Sequence, residues 1–164
     1  MIVRPARHDP HDEQFLWLML AEAAGWRGGA PRTPRGELQT NPDFARYVAG
    51  WGREGDSGVI AEVDGRPAGA AWARRFDAAD HGYGFIDPAV PELSLAVAPA
   101  MRRRGIASAL LAALIEGARR DGLGALSLSV EEDNPAVDLY RRFGFEPVGR
   151  VENAWTMVAR LLDT

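Results

Sequence analysis

The stretch best suited to chemistry runs from Pro91 to Gly122, PELSLAVAPAMRRRGIASALLAALIEGARRDG. It reads as a strand ending at Ala98-Pro99, a short basic turn with one glycine, and a long apolar helix from about Arg103 to Asp121. A strand that feeds a helix in this way aims unpaired backbone N–H groups and the positive end of the helix dipole at one small volume. Phosphate is the natural ligand of such a volume. Gly105 lets the backbone approach closely, Ala107 keeps the first helical turn narrow, and Arg102, Arg103 and Arg104 add positive charge. The triphosphate-loop pattern GxxxxGK[ST] is absent, and so is a GxGxxG after the strand, which argues against a P-loop enzyme and a dinucleotide turn. Glu92 begins the same strand, and alternation groups it with Ser94 and Ala96, opposite Leu93, Leu95 and Val97. Further on, Asn134-Pro135 opens a short helix that carries Leu139, Tyr140 and Phe143. His8, Asp9, His11 and Asp12 are of metal-ligating types, but capping accounts for the acids and no third histidine lies near, so no metal is expected.

These groups must be held by a frame, and the rest of the chain predicts one. Met1 to Ala6 alternates as a first strand. Asp9-Pro10 starts a helix through Phe15, Leu16, Met19, Leu20 and Ala23, which Gly25 closes. Gly25 to Glu37, rich in Gly, Pro and Arg, reads as a long substrate-facing loop. Asn41-Pro42 starts a second helix carrying Phe44, Tyr47, Val48 and Trp51, and Gly52 ends it. Gly58 to Val63 and Ala68 to Ala73 flank Asp64-Gly65, a strong hairpin signal. A loop from Phe76 to Pro91 leads to the strand at Glu92. Ala125 to Val130, Glu146 to Val151 and Trp155 to Leu161 supply the remaining strands. The order β, α, α, β, β, β, α, β, α, β, β predicts a mixed sheet. Short turns pair strands antiparallel and helical crossovers pair them parallel.

Bulk properties narrow the class. A chain of 164 residues is expected to form a single domain spanning its whole length. The net charge of −4 argues against nucleic-acid binding, which normally needs a basic excess. No apolar run has the length of a membrane span, and the start MIVRPARHDP lacks a secretory apolar core, so a cytoplasmic location is expected. The chain has no cysteine, which excludes disulfides, thiolate metal sites and cysteine nucleophiles.

Arg102-Arg103-Arg104-Gly105-Ile106-Ala107 resembles the Q/R-x-x-G-x-G/A signature of the GNAT superfamily of N-acetyltransferases. Leu95-Ala96-Val97-Ala98-Pro99 resembles that family's bulged fourth strand, and Asn134 to Phe145 resembles its N-x-A-x-x-L-Y-x-x-x-G-F segment. The strand order is similar too. The resemblance implies an α/β (α+β) fold with a mixed, mostly antiparallel central sheet flanked by helices, split in a V between strands 4 and 5. It implies acetyl-CoA as cosubstrate, with direct transfer of acetyl to an amine. The pyrophosphate would lie on Arg102, Arg103, Arg104, Gly105, Ile106, Ala107 and Ser108, and the pantetheine arm along Leu95, Ala96 and Val97. The Val97 N–H would stabilise the oxyanion.

Three residues keep two readings each. Tyr140 is either the acid that protonates the departing thiolate or a packed aromatic beside Leu139 and Phe143. Asn134 is a helix cap, to which the resemblance adds a contact near the pantetheine. Glu92 is either the base that deprotonates the amine through water or a solvated strand-end carboxylate. Ribosomal-protein N-terminal acetyltransferases carry a glutamate at the position matching Ser129, and serine cannot serve as that base, which moves the role toward Glu92. Trp26, Trp72, Tyr83 and Phe85 are candidates to line an acceptor pocket. The acceptor is expected to be a small-molecule or peptide amine. A homodimer is compatible with the resemblance, and so is a non-catalytic acyl-CoA-binding module of the same fold.

Overall fold

The computed structural model describes residues 1–28 and 33–162. Its elements are β1 (Ile2–Pro5), α1 (Pro10–Ala24), α2 (Arg35–Thr40), α3 (Pro42–Ala45), β2 (Ser57–Val63), β3 (Arg66–Arg74), β4 (Glu92–Val97), α4 (Ile106–Arg120), β5 (Ala125–Glu131), α5 (Ala136–Arg142), β6 (Glu146–Val151) and β7 (Ala154–Arg160). They build a seven-stranded sheet in the order β1-β2-β3-β4-β5-β7-β6. Every pair is antiparallel except β4–β5, whose connection runs through α4. Among the described residues no helix is long and apolar enough to cross a membrane.

Each face of the sheet carries its own core. On one face α4 buries Ile106, Leu110, Leu111, Leu114, Ile115 and Ala118, a helical stripe, against Leu93, Leu126, Leu128 and Met157. Tyr140 and Phe145 join this core with their rings edge to face at 5.8 Å. On the other face Leu16, Trp17, Leu20, Leu38 and Val48 cover Ile60, Ala70, Trp72 and Ala96. Truncating one of the wholly buried leucines, Leu110 for example, would cost about 2–5 kcal/mol.

Local signals act as their chemistry predicts at most ends. The Asp9 side chain accepts from the Asp12 N–H at 2.8 Å to cap α1, and the Gly25 N–H donates to Ala21 O at 3.0 Å to close it. Asp12 itself is buried against Arg4, with 2.7 and 2.9 Å contacts that hold its carboxyl down at about 2. Asp64 and Gly65 take positive φ of 52° and 75°, the mirror-type turn that suits a two-residue hairpin.

Two expectations change. The loop predicted over Gly25 to Glu37 ends early, because Arg35 begins α2; its residues 29–32 lie outside the described residues. The helix predicted from Pro42 to Trp51 is regular only over Pro42–Ala45. Side chains from β3 capture the carbonyls that would have extended it. Arg74 Nη1 donates to Arg46 O (2.9 Å) and Ala49 O (2.7 Å), and Trp72 Nε1 donates to Tyr47 O (2.9 Å). Tertiary donors thus replace the i+4 amides, and Gly50 at φ 70° turns the chain away.

Candidate active site

β4 pairs with β3 along its whole length, Glu92↔Arg74 through Val97↔Gly69, but with β5 only at Glu92↔Ser127. Beyond that point the two strands part, which opens the expected V. The bulge expected in β4 is absent, since its register with β3 is unbroken. The irregularity lies in the β2–β3 pairing, between Ala61 and Glu62 of β2, two strands from β4.

The alternation of an antiparallel pair assigns the main-chain groups of β4. Ala98 N–H donates to Ala68 O at 2.8 Å, so Ala96, Ser94 and Glu92 likewise spend their backbone groups on β3. Leu93, Leu95 and Val97 turn theirs toward β5. Ser127 N–H meets Pro91 O at 3.0 Å at the closed end, and Leu95 and Val97 look into the V. Ala96 therefore has no backbone group to offer there, and its side chain belongs to the core beneath α1.

Below the strand end, a short 3₁₀ turn (Pro99–Met101) leads to Arg103 at φ 64° and Gly105 at φ 77°. Both left-handed residues turn the chain so that α4 begins at Ile106 rather than near Arg103 as predicted. The first backbone bond into the helix is Ala109 N–H to Gly105 O at 3.1 Å. The N–H groups from Arg103 to Ser108 have no acceptor among the described residues, and no side chain caps the helix. A Cβ on Gly105 would meet nothing within 4 Å, so the loop presents an open concave backbone. This arrangement fits an anion well, because several donors and the helix dipole converge on it. Arg102 turns back across β4, donating weakly to Val97 O (3.4 Å) and pairing with Glu22 of α1 (3.2 Å). Arg103 and Arg104 are exposed. Asn134 Oδ1 accepts from Ala136 N–H at 2.9 Å, a side-chain turn that leads into α5 just ahead of its cap position Pro135 and leaves the amide nitrogen for another acceptor.

Glu92 is not a solvated strand-end carboxylate, for it is 3% exposed. Its Oε2 accepts from the Tyr47 hydroxyl at 2.7 Å, while buried Oε1 has no hydrogen-bond partner. Burial lifts its carboxyl from the ordinary range up to about 7, against the pull of the Tyr47 hydrogen bond. The same burial, then the adjacent Glu92 charge, pushes the Tyr47 phenol well above its usual value. The Tyr140 phenol is also pushed up, by burial alone, and its hydroxyl has no hydrogen-bond partner among the described residues. Glu92 and Tyr140 occupy opposite faces of the sheet: Glu92 lies beside Tyr47 under α1–α3, Tyr140 in the core under α4.

A cleft of about 300 Å³ is lined by Asp43, Arg46, His81, Gly82, Tyr83, Phe85, Val151 and Thr156; Glu92 is not in its wall, but Gly82 borders both. Of the aromatic candidates, Tyr83 and Phe85 line it. Trp72 is core, and Trp26 lies under the Arg27 guanidinium at 4.5 Å. Arg27 also ties the end of α1 to β5, pairing with Glu131 (2.6 Å) and Asp133 (2.8 Å). Sequence reasoning missed Tyr47, Arg46, Gly82 and Gly84. The alternating glycines of His81-Gly82-Tyr83-Gly84 were the visible signal. A Cβ on Gly82 would fall 2.1 Å from Tyr47 Oη and 2.7 Å from Glu92 Oε1, and one on Gly84 2.6 Å from Leu128 C.

The acetyltransferase (GNAT) family model matches residues 9–145, and the chain belongs to that family. Over 104 residues it is 32% identical to the L-2,4-diaminobutyric acid acetyltransferase of Nocardia farcinica, covering 60% of this chain and 47% of that protein. The chain thus spans about half the length of that curated relative. Among solved structures, the ribosomal-protein-alanine N-acetyltransferase of Brucella melitensis is 26% identical, with TM-score 0.70 over 98% of this chain and 100% of that one. A PaiA N-acetyltransferase from Thermoplasma acidophilum, solved in complex with coenzyme A, shares the fold at 15% identity (TM-score 0.71; 98% and 99% covered).

Proposed function

We propose that the protein is an acetyl-CoA-dependent N-acetyltransferase that transfers acetyl directly to a primary amine. The observation that carries this reading is the run of unpartnered amides from Arg103 to Ser108 at the foot of the V. These amides, with Arg103 and Arg104 at their rim, would hold the pyrophosphate of acetyl-CoA; Arg102, Ile106, Ala107 and Ser108 complete the turn. The pantetheine arm would pair with the main-chain groups of Leu95 and Val97 and meet Asn134 across the V. Ala96 would contribute packing only.

The cosubstrate supplies an acetyl thioester, and the chain's own residues do the rest. The Val97 N–H, turned into the V, donates to the thioester oxygen as charge develops there. On the cleft side, Glu92 takes a proton through water from the incoming ammonium, which frees the nitrogen lone pair. A carboxyl lifted to about 7 is well matched to that task near neutral pH. On the other face, Tyr140 keeps its proton at any physiological pH and offers it to the departing sulfur. The V is the passage that lets two groups on opposite faces serve one reaction. A second reading, an acyl-CoA-binding module without catalysis, would leave the burial of Glu92 at the cleft without a purpose.

The acceptor is a small-molecule or peptide amine. The relatives named above diverge on this point, one named for a free amino acid and one for a protein alanine. Ser129 offers no carboxylate, which weighs against the ribosomal-protein branch. The test is thiol release from acetyl-CoA with purified protein over a panel of amino acids, polyamines, peptides and aminoglycosides. Coenzyme binding with no release on any amine would favour the binding module. No heat on adding coenzyme A would defeat both.

A further inference from the structure

The Glu92 carboxylate is held asymmetrically. Oε2 receives the Tyr47 hydroxyl at 2.7 Å, and that hydroxyl in turn accepts the Tyr83 N–H at 3.1 Å. Oε1 is equally buried but has no partner. The element that covers Oε1 is the backbone of Gly82, which also lines the cleft. Nothing larger than hydrogen fits there, since a Cβ would lie 2.7 Å from Oε1. The free oxygen and the cleft are thus separated by a glycine and by no side chain of that residue.

Tyr47 is held in place from the opposite side. Its own carbonyl accepts from Trp72, and the flanking carbonyls of Arg46 and Ala49 accept from Arg74. Arg74 is clamped in turn by buried Asp56 at 3.0 and 2.9 Å, and it is the register partner of Glu92 on β3. Phe76 packs edge-on against the Tyr47 ring at 5.8 Å.

We infer that Tyr47 is a positioning residue for Glu92: its hydroxyl engages Oε2 and leaves Oε1, behind Gly82, as the oxygen that exchanges protons with the acceptor amine. The inference rests on Glu92 acting as the base. In the step, an N–H bond of the ammonium breaks with its electron pair staying on nitrogen, the proton passes to a water, and that water gives up one of its protons to form the O–H bond at Oε1. After transfer Oε1 returns the proton to solvent through the cleft. The charged and titratable groups around the carboxylate are Tyr47 and Arg46 from the segment after α3, His81 from the β3–β4 loop, and Arg74 across the ladder. Arg46 is already engaged by Asp80 at 3.0 Å and by the His81 carbonyl, so the donors that favour the ionised carboxylate are the Tyr47 hydroxyl and, less strongly, the Gly84 backbone N–H.

The test reads the Glu92 carboxyl itself. The full chain labelled with 13C at glutamate Cδ is titrated by NMR, the Glu92 signal being the one missing from Glu92→Gln. Tyr47→Phe removes a hydrogen bond that favours the ionised form, so the midpoint should rise by about one pH unit. The acid limb of kcat/KM should move with it, measured on the best amine of the screening panel. Site-specific 3-fluorotyrosine at position 47 keeps the shape and strengthens the donor, so the midpoint should fall. It serves equally if Tyr47→Phe does not fold. Unmoved midpoints in both proteins overturn the inference. A Glu92→Gln variant with full activity overturns instead the assignment of Glu92 as base, a different failure read by a different protein.

Discussion

Burial at the start of β4 makes ionisation of Glu92 unfavourable, and the Glu92→Gln variant measures by how much. The carboxyl moves from an ordinary 4.5 to about 7 in the fold. At roughly 1.4 kcal/mol for each pH unit, carrying the charge into the folded state costs on the order of 3 kcal/mol. The sign follows from proton binding. Below about 4.5 the group is protonated in both folded and unfolded chains, and its contribution to stability is intact. Between 4.5 and about 7 only the unfolded chain sheds the proton, so stability falls as pH rises. Above about 7 both are ionised and the loss is complete. Glutamine keeps an acceptor for Tyr47 and never ionises. Its buried NH₂ carries a cost of about 1–3 kcal/mol, but that cost is the same at every pH and cancels in the comparison. Urea denaturation of both proteins at pH 5 and pH 8.5 should therefore show the variant gaining about 2.5 kcal/mol on the wild type between the two conditions, since part of the loss is already present at pH 5, while losing most acetylation activity. Parallel stability curves with a constant offset would show that Glu92 is not desolvated, and the argument for a near-neutral base would go with it.

Gly105→Glu should abolish coenzyme A binding in calorimetry, because it sets a negative charge among the free amides and forces a side chain into φ 77°. Unchanged affinity would remove the anion-site assignment. Tyr140→Phe should slow turnover with coenzyme affinity nearly intact, and the loss of a hydroxyl without partners should leave urea stability unchanged. A wild-type rate would mean Tyr140 only packs. Arg74→Ala should cost about 3–5 kcal/mol in urea denaturation, since it leaves Asp56 charged in the interior and releases two carbonyls beside Tyr47. A cost under about 1 kcal/mol would show that water replaces the guanidinium.

What was legible in the sequence is what short-range chemistry encodes. Asp9-Pro10, Asp64-Gly65 and Gly105 each specify a cap or turn by backbone sterics alone, and the apolar stripe from Ile106 to Ala118 specifies a helix with one buried face. The strand, basic turn and helix around Gly105 were therefore readable before any packing was known, and with them the proposed anion site. Glu92 could be placed on the correct face of β4 by alternation, but not in the correct environment. Whether a carboxylate at a strand end is wet or dry depends on what covers it. Here the covers are Tyr47, some 45 residues earlier, and the glycine at position 82, neither bound to Glu92 by any local pattern. The same holds for the broken helix after Ala45, where Arg74 and Trp72 took carbonyls that local propensity would have given to the next turn. Local rules set the backbone's course, while long-range donors and desolvation, which exist only once the sheet has assembled, set the proton affinity of the group at its centre.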